Sequence, residues 1–600
     1  MTGVTALPDS VVHVIRTATE ADEFCDWLDR PHRALAVDVE TTGLAFTADV
    51  RLVQVSDQRD AWVWNPHEFP GLVENVVHGD QRLIMHNAQF DALHLARLQY
   101  GDDLRLVATE AVAILDVTTD TALLSHLLDP RGKADGGAGH DLKGLSARFV
   151  DAAAPDGQAA LLARFKELGY SKADGFRLID RWDPVLVKYA AMDALLTARL
   201  EPVLTEKVEA LGLGRLVKFD HDVQKVCAAM TARGMAVAVD YARQLCADLE
   251  VEQADAERQA LIYGVTSVNS TAQVSEALMA AGHTLTERTD SGLWKIDKAV
   301  LAGIDHPLAR LVETAKYARK MRGTWLEPIL AHGEVDGRAH CRIRTVAART
   351  YRMSITDPPL QTLPATDHRV RSTLIADPGM VIATIDFNAI ELRVMSALAG
   401  EDRMIETFIA GDNFHDATAE RMFGPDWTAE NRRTVKGVAF GWLYGSGPKT
   451  LAKVAGISQS EAKKVIDNFE RSFPRAQRWA RQSSQRVAFG EALVVTPTGR
   501  RIPVDRDRSY RATNYVVSSL AADLYKGSLL ELSAAGFDEF LLVPVHDEIV
   551  CQLPVADAED IAHEMATVMG GHLGRVPIVA EAEISGPSWG TKYSREAAHA

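Results

Sequence analysis

The sequence predicts an α/β domain at the N-terminus, then a helical connecting region, then a large α+β domain. Three observations predict it. The 600 residues exceed what one hydrophobic core organises. Strand and helix periodicities alternate near the N-terminus, give way to helical patterns, and mix again from about residue 340. The composition is that of a globular chain, 47% apolar and 24% charged, with little low-complexity sequence.

Residues 11–64 read as strands and short helices, because "ALAVDVE" (34–40) and "VRLVQVS" (50–56) alternate or run apolar over strand lengths. Helical patterns dominate from about 86 to 200. The Gly-rich "DPRGKADGGAGHD" (129–141) interrupts them and reads as a mobile loop. A second helical region runs from about 204 to 335, with amphipathic stretches such as "HPLARLVETAKYARKMRGTWLEPIL". No apolar run is long enough to span a membrane, and no charged-then-apolar leader opens the chain. Five cysteines are scattered without a CxxC pair. That suits a reducing cytosol and argues against a zinc site or a disulfide framework.

The net charge of −17 does not by itself suggest a nucleic-acid binder. The basic residues are segregated, however, and it is the local patch that meets phosphate. "KYARKMR" (316–322), "CRIRTVAARTYR" (341–352), "ERSFPRAQRWARQSSQR" (470–486) and "GRRIPVDRDRSYR" (499–511) carry the clusters. Any one of them reads as a solvated helix face. Four in the C-terminal half, with aromatic residues interleaved, favour a phosphate-binding channel.

Two groups of carboxylates stand out. Asp38 and Glu40 lie two apart on a strand, so both side chains leave the same face. Alone they also read as a polar strand end. Asp91 follows at the start of a helix, with Asn87 four residues before it. Tyr189 and Asp193 share a helical face at i, i+4. Four carboxylates and a tyrosine suit two-metal phosphodiester hydrolysis, in which hard cations take oxygen ligands and the tyrosine orients a water. As a set, Asp38, Glu40, Asp91, Asp193 and Tyr189 resemble the DEDDy 3′→5′ exonucleases.

The second group begins in "VIATIDFNAIELRVMSALAG" (381–400), a strand ending at Asp386 and then a helix. Asn388 is an N-cap candidate with Glu391 three residues on, so Glu391 reads equally as a capping-box glutamate. In "NRRTVKGVAFGWLYGSG" (431–447), Arg432, Lys436 and Phe440 form one helical stripe. That stripe suits a triphosphate with a base stacked beyond it, or a basic amphipathic helix with Phe440 in the core. In "LLVPVHDEIV" (541–550), His546, Asp547 and Glu548 lie between two apolar strands. They read as an exposed hairpin turn or, with Asp386, as a site for two Mg²⁺ ions.

The order D-x4-E-L-R, R-x3-K-x3-F-x3-YG, VHDE resembles motifs A, B and C of the family A (polymerase I-like) DNA polymerases. "TYRMSITDPPLQTLP" (350–364) is similar to that family's minor-groove-contacting segment. "VNSTAQVSEAL" (268–278) and "HPLARLVETAKYARKM" (306–321) are similar to its thumb, and "RATNYVVSSLAAD" (511–523) to the helix that follows motif B in space. The resemblance implies an RNase H-like exonuclease domain over 1–203 and a right-hand polymerase domain over 204–600. Within the latter it implies a thumb at about 215–335, a palm at about 340–400 and 490–600, and fingers at about 401–489.

The resemblance also implies roles. Asp386 and Asp547 are the catalytic metal ligands, supported by Glu548. Arg432 and Lys436 bind the triphosphate. Phe440 and Tyr444 pack around the nascent base pair, and Glu391 rejects a ribose 2′-OH. Arg352, Arg511, Asn514 and His546 contact primer or template. It implies two Mg²⁺ per active site, with Mn²⁺ able to substitute. The partners implied are primer-template DNA and dNTPs, a processivity factor or other replisome proteins being further candidates, for a monomer with no membrane association. The departures are "DFNAIELR" for the usual "DYSQIELR", Tyr351 for a usual glycine, and Ser518-Ser519 for a common Gln-Gly. Some 37 residues precede Asp38, too few for a 5′-nuclease domain. Short chains of this layout resemble bacteriophage replicative polymerases, which places the protein in the cytoplasm of a host cell. The competing readings are a single-subunit RNA polymerase, a DNA exonuclease whose C-terminal half binds DNA without synthesis, and an inactive scaffold. Glu391 and the complete carboxylate sets argue against each.

Overall fold

The structure, a computed structural model, describes residues 7–591 except 8, 290 and 365. The outer ends of the two expected domains, 1–6 and 592–600, lie outside the described residues.

The N-terminal unit is a six-stranded mixed sheet in the order β1-β4-β3-β2-β5-β6. Its strands are β1 (Val11–Ile15), β2 (Leu35–Thr41), β3 (Val50–Ser56), β4 (Asp60–Trp64), β5 (Leu83–Met85) and β6 (Thr118–Asp120). β2 and β3 are buried along nearly their whole length because helices cover the sheet, which explains their apolar sequence. Leu35, Val37, Leu52, Val53 and Val55 fill the core on the two faces. The Gly-rich 129–141 segment is a loop with a single 3-10 turn, and a Lys133–Asp141 ion pair of 2.7 Å ties it to its own far end.

The helix Pro184–Ala210 closes this unit and packs on β2, β3 and β4. It runs unbroken through 203, so the expected boundary between 203 and 204 falls inside a helix, and the chain next turns at 211–213. The following helix, Gly214–Arg233, packs on both units. A helical pair, Val239–Ala260 and Pro307–Lys320, projects with a small core of its own around Val274, Leu278, Leu308 and Val312. The amphipathic stretch after His306 continues through a π-helical turn, Met321–Leu326, into the helix Glu327–Asp336. Pro328 has no N–H to give the preceding turn, and a wider turn ends just before it.

The C-terminal unit is built on a four-stranded antiparallel sheet in the spatial order Leu541–Val545, Glu548–Pro554, Met380–Phe387, Ala580–Gly586. The helix Ala558–Met569 packs on this sheet, the helices Ile390–Ala399 and Arg511–Ala534 pack on each other, and the helical block 402–489 shares their core. One core spans the sheet and this block, from Ile385 and Ile549 to Phe414, Val438 and Phe469. A separate core crosses between the two units and joins Leu186 and Leu195 to Tyr351, Ile502 and Tyr515. Among the described residues no helix is long and apolar enough to cross a membrane.

Candidate active sites

In the N-terminal unit the period of β2 delivers the expected result. Asp38 and Glu40 share a face, and the helix Pro184–Ala210 brings Asp193 against them. Ligand oxygens of Asp38, Glu40 and Asp193 all lie within 4.8 Å of one another. Asp91 occupies the first turn of the helix Ala88–Tyr100, and its Oδ1 accepts the Val39 N–H at 3.1 Å. It therefore docks on the backbone between the two strand carboxylates. Burial pushes Asp38 up to about 6, against the opposing pull of Gln54 and Lys143. Burial and the neighbouring Asp38 raise Glu40 and Asp91 well above the usual carboxylate range. Burial, then the charges of Glu40 and Asp38, raise the Tyr189 hydroxyl, which holds its proton. Carboxylates crowded this closely out of water call for a cation, and their hard oxygens fit a divalent one.

Sequence reasoning missed the cation the structure supplies. Lys143, buried on the helix Leu142–Phe149, places its Nζ against Asp193 Oδ1 and 4.6 Å from the centre of the Tyr189 ring. Burial lowers its pKa to about 8, against the pull of Asp38 and Glu40. A lysine in "HDLKGL" carries no local signal of burial. Gln54 was missed too. It faces Asp38 across the β2–β3 pair and donates to Asp38 Oδ2, which fixes that carboxylate.

The second centre lies at the edge of the C-terminal sheet. Asp386 ends its strand opposite Glu548, and Asp547 occupies the adjoining turn, with its carbonyl accepting the Phe387 N–H at 3.2 Å. Burial raises the Asp547 pKa. Tyr525 donates to the Glu548 carbonyl at 2.9 Å and braces the turn. Beside it lies a cleft of about 300 Å³ lined by Arg352, Glu391, Phe440, Tyr444, His546 and Asp547. Six residues drawn from four separate sequence segments thus meet in one cavity. Asp386 is exposed, and the strand register pairs it with Glu548 next to the Asp547 turn, so three carboxylate residues, the donor type a hard cation takes, lie on adjoining positions of two strands.

The capping alternative for Glu391 is overturned. The helix Ile390–Ala399 starts from Ala389, which has φ 52°, and no side chain caps it. Asn388 instead donates to Glu581 at 2.7 Å, and its carbonyl accepts from Arg393. The left-handed turn carries Asn388 away from the helix N-terminus and leaves Glu391 free to face the cleft. There it accepts from Arg352 Nη2, from Tyr444 OH at 2.9 Å and from Ser518 Oγ at 2.6 Å.

The stripe on the helix Ala429–Leu443 is only partly open. Lys436 is exposed, Arg432 pairs with Asp416 at 2.5 Å, and Phe440 is half-buried between the core and the cleft. Asn514 is buried and donates to Ser518 Oγ at 3.0 Å, and Arg511 lies at the start of the same helix. His546 is exposed at φ 57°, with Gln361 donating to its Nδ1 at 3.0 Å. The basic clusters are not all surface. Arg349 pairs with Asp505 and the Pro503 carbonyl, and Arg500 is wholly buried, so neither belongs to a phosphate channel. Their guanidinium groups are already satisfied inside the protein.

A mixed-sheet unit with one carboxylate cluster, followed by a unit with a second carboxylate centre and an open cleft, defines a two-centre nucleic-acid enzyme. The model of DNA polymerase family A matches residues 239–591, and that of a 3′-5′ exonuclease matches residues 12–209. The DNA polymerase of Mycobacterium phage D29 is 36% identical over 98% of both chains. That of Mycobacterium phage L5 is 34% identical, again over 98% of both. The chain belongs to DNA polymerase family A and carries a 3′–5′ exonuclease domain, both of them metal-dependent. The POL domain of Pol1 from M. smegmatis, solved in complex with DNA primer-template and dNTP, shares the fold. The TM-score is 0.75 at 21% identity, over 97% of this chain and 99% of that one.

Proposed function

We propose that the C-terminal sheet is a palm, the 402–489 block the fingers and the projecting helical pair the thumb, and that the chain extends a DNA primer from dNTPs in the palm cleft and hydrolyses 3′ ends at the N-terminal carboxylate cluster. The observation that carries the first half is the meeting of Arg352, Glu391, Phe440, Tyr444, His546 and Asp547 around one cleft beside Asp386. An aromatic wall, a guanidinium and carboxylates in one cleft, with Lys436 exposed on the helix that carries Phe440, are what nucleotidyl transfer needs. Two domains follow, exonuclease then polymerase, with the joint after the helix that ends at Ala210.

Asp386 and Asp547, with Glu548 beside them, hold Mg²⁺ at the palm, and Asp38, Glu40, Asp91 and Asp193 hold it at the exonuclease centre. Bound there, the ions supply Lewis-acid activation of the attacking oxygen and neutralise charge on the phosphates. The chain's own groups do the rest. Lys436 and Arg432 bind the triphosphate, Phe440 and Tyr444 wall the base pair, and Glu391 occupies the space a ribose 2′-OH needs. Arg352, Arg511 and His546 face primer and template, while Asn514, buried with its amide on Ser518, supports that face from within. At the exonuclease centre Tyr189 keeps its proton and orients the attacking water. A crevice between the domains, lined by Leu44, Phe46, Phe90, Arg342 and Arg344, offers a frayed strand apolar and cationic contacts on its way to that centre.

Two variants test this. Asp386→Ala abolishes primer extension and leaves DNA binding nearly intact, because phosphate contacts supply most affinity. Asp38→Ala with Glu40→Ala abolishes digestion of a 5′-labelled single strand and leaves extension of a matched primer near normal. Extension by the first variant, or digestion at the parental rate by the second, overturns the assignment.

A further inference from the structure

Ser518 and Ser519 stand where the family commonly has Gln-Gly, and the structure gives Ser518 a definite task. The Glu391 carboxylate is held by three donors of unequal fixity. Arg352 has 46% of its side chain exposed, and Tyr444 is 40% exposed at the end of the fingers helix. Ser518 is buried in the second turn of the 24-residue helix Arg511–Ala534, which packs on the helix of Glu391. Its hydroxyl accepts from Asn514 Nδ2 at 3.0 Å and donates its only proton to Glu391 Oε1 at 2.6 Å. Asn514 thereby orients the hydroxyl, and the bond to Glu391 is charge-assisted and shielded from water.

We propose that Ser518 is a positioning residue that fixes the Glu391 carboxylate and so sets discrimination between deoxyribo- and ribonucleotides. The inference rests on the reading of Glu391 as the group that excludes a 2′-OH. A serine reaches only one atom beyond Cβ, so this bond forms only because the two helices lie close. Packing alone does not demand the bond. The neighbouring Ser519 hydroxyl is buried as deeply and has no partner among the described residues. Without Ser518, Glu391 is held only from the cleft side, by two groups that share that space with the incoming nucleotide. The carboxylate can then turn away from the sugar.

The experiment measures kcat/KM for a dNTP and its matching rNTP on a primed template, for the parent, Ser518→Ala, Ser519→Ala and Glu391→Ala. The expected result is a rise in relative rNTP use of roughly three- to tenfold for Ser518→Ala, part of what one charge-assisted hydrogen bond contributes because Arg352 and Tyr444 still hold the carboxylate, and a larger rise for Glu391→Ala. Ser519→Ala stays within about twofold of the parent. A parental ratio in Ser518→Ala beside a raised ratio in Glu391→Ala overturns the role of Ser518 alone. So does an equal loss for both nucleotides in Ser518→Ala, which marks a general structural role. A parental ratio in Glu391→Ala overturns the sugar-gate reading and this inference with it.

Discussion

Asp220 and Arg500 face each other through two parallel hydrogen bonds of 2.8 Å, with both side chains wholly buried. Asp220 sits on the helix Gly214–Arg233, Arg500 follows the hairpin turn at 496–499, and Lys526 and Asp523 on a third element complete the cluster. The charges of Lys526 and Arg500 hold the Asp220 carboxyl well below its usual range in spite of burial. The cluster locks the helix leading out of the exonuclease domain to the palm. Removing Asp220 leaves two buried cations, Arg500 and Lys526, with Asp523 as their one carboxylate in the cluster. Asp220→Ala is therefore expected to cost about 3–5 kcal/mol of stability, measured by chemical denaturation. A loss under about 1 kcal/mol, the scale of a surface ion pair, shows that the cluster is not holding the fold.

Tyr351 gives a second test of the same junction. It takes φ 62°, the region that favours the glycine usual in the family, yet it is wholly buried. The ring packs edge-on against His126 of the exonuclease domain and lies 4.2 Å under the Arg500 guanidinium. Tyr351→Gly relieves about 1–2 kcal/mol of backbone strain and forfeits about 3–5 kcal/mol of aromatic burial, so a net loss is expected. Tyr351→Phe keeps the ring and gives up hydroxyl bonds of 3.3 and 3.4 Å to carbonyls, so it changes little. A melting temperature for Tyr351→Gly at or above that of the parent shows that the strain outweighs the packing.

The exonuclease carboxylates make the metal-free protein sensitive to pH. Burial raises Asp38 from its unfolded value to about 6, and Glu40 and Asp91 rise as well. The folded state therefore binds more protons than the unfolded state above about pH 4. The contribution of these carboxylates to stability in chelator is fully present near pH 4 and is lost as pH rises through about 6, by roughly 1–3 kcal/mol, while His86, His94, His126, His140 and His415, lowered by burial, act in the opposite sense below about pH 6.5. Lys143, lowered to about 8, titrates above this window. Saturating Mg²⁺ restores stability at pH 7 through binding to the folded state alone. Melting curves from pH 5 to 8, with and without Mg²⁺, check this. Asp38→Asn removes the Asp38 contribution and leaves the histidines, so a parent-minus-variant difference in chelated stability that does not fall across the interval contradicts it.

The sequence carried the parts of this molecule that depend on short periods. Asp38 and Glu40 share a face because a strand repeats every two residues, and Tyr189 and Asp193 because a helix nearly repeats every four. The cleft residues were found by motif order, and the strand register then brought Asp386 beside the Asp547 turn. Contacts between distant segments were not legible. Asp220 and Arg500 lie 280 positions apart, and each alone reads as a surface charge. Arg349 and Arg500 looked like a phosphate channel because composition does not say whether a guanidinium already has a partner. Asn388 looked like a cap because its spacing to Glu391 is right, and only the positive φ of Ala389 turns it elsewhere. Lys143 had no signal, since its meaning comes from three carboxylates on two other elements.

That lysine yields the last prediction. The Lys143 ammonium lies against Asp193, within the cluster that Asp38 and Glu40 complete, where a divalent cation would also sit. A bound cation must displace it or share the carboxylates with it. Like charges repel strongly at this depth, so the lysine weakens metal binding while stabilising the metal-free protein. Lys143→Met keeps most of the apolar stem and removes the charge. It should lower the Mg²⁺ concentration for half-maximal digestion of a single strand by several-fold, on the order of the tenfold that 1.4 kcal/mol represents. It should also lower the melting temperature in chelator, because the carboxylates lose their cation, and Mg²⁺ should reverse that loss. Primer extension should not change, since the palm carboxylates are in the other domain. The measurement is a Mg²⁺ titration of digestion and of extension on the same preparations. An unchanged half-maximal concentration for digestion means the ammonium does not compete for the cation site, and a shift in extension as well means the variant has disturbed more than the exonuclease centre.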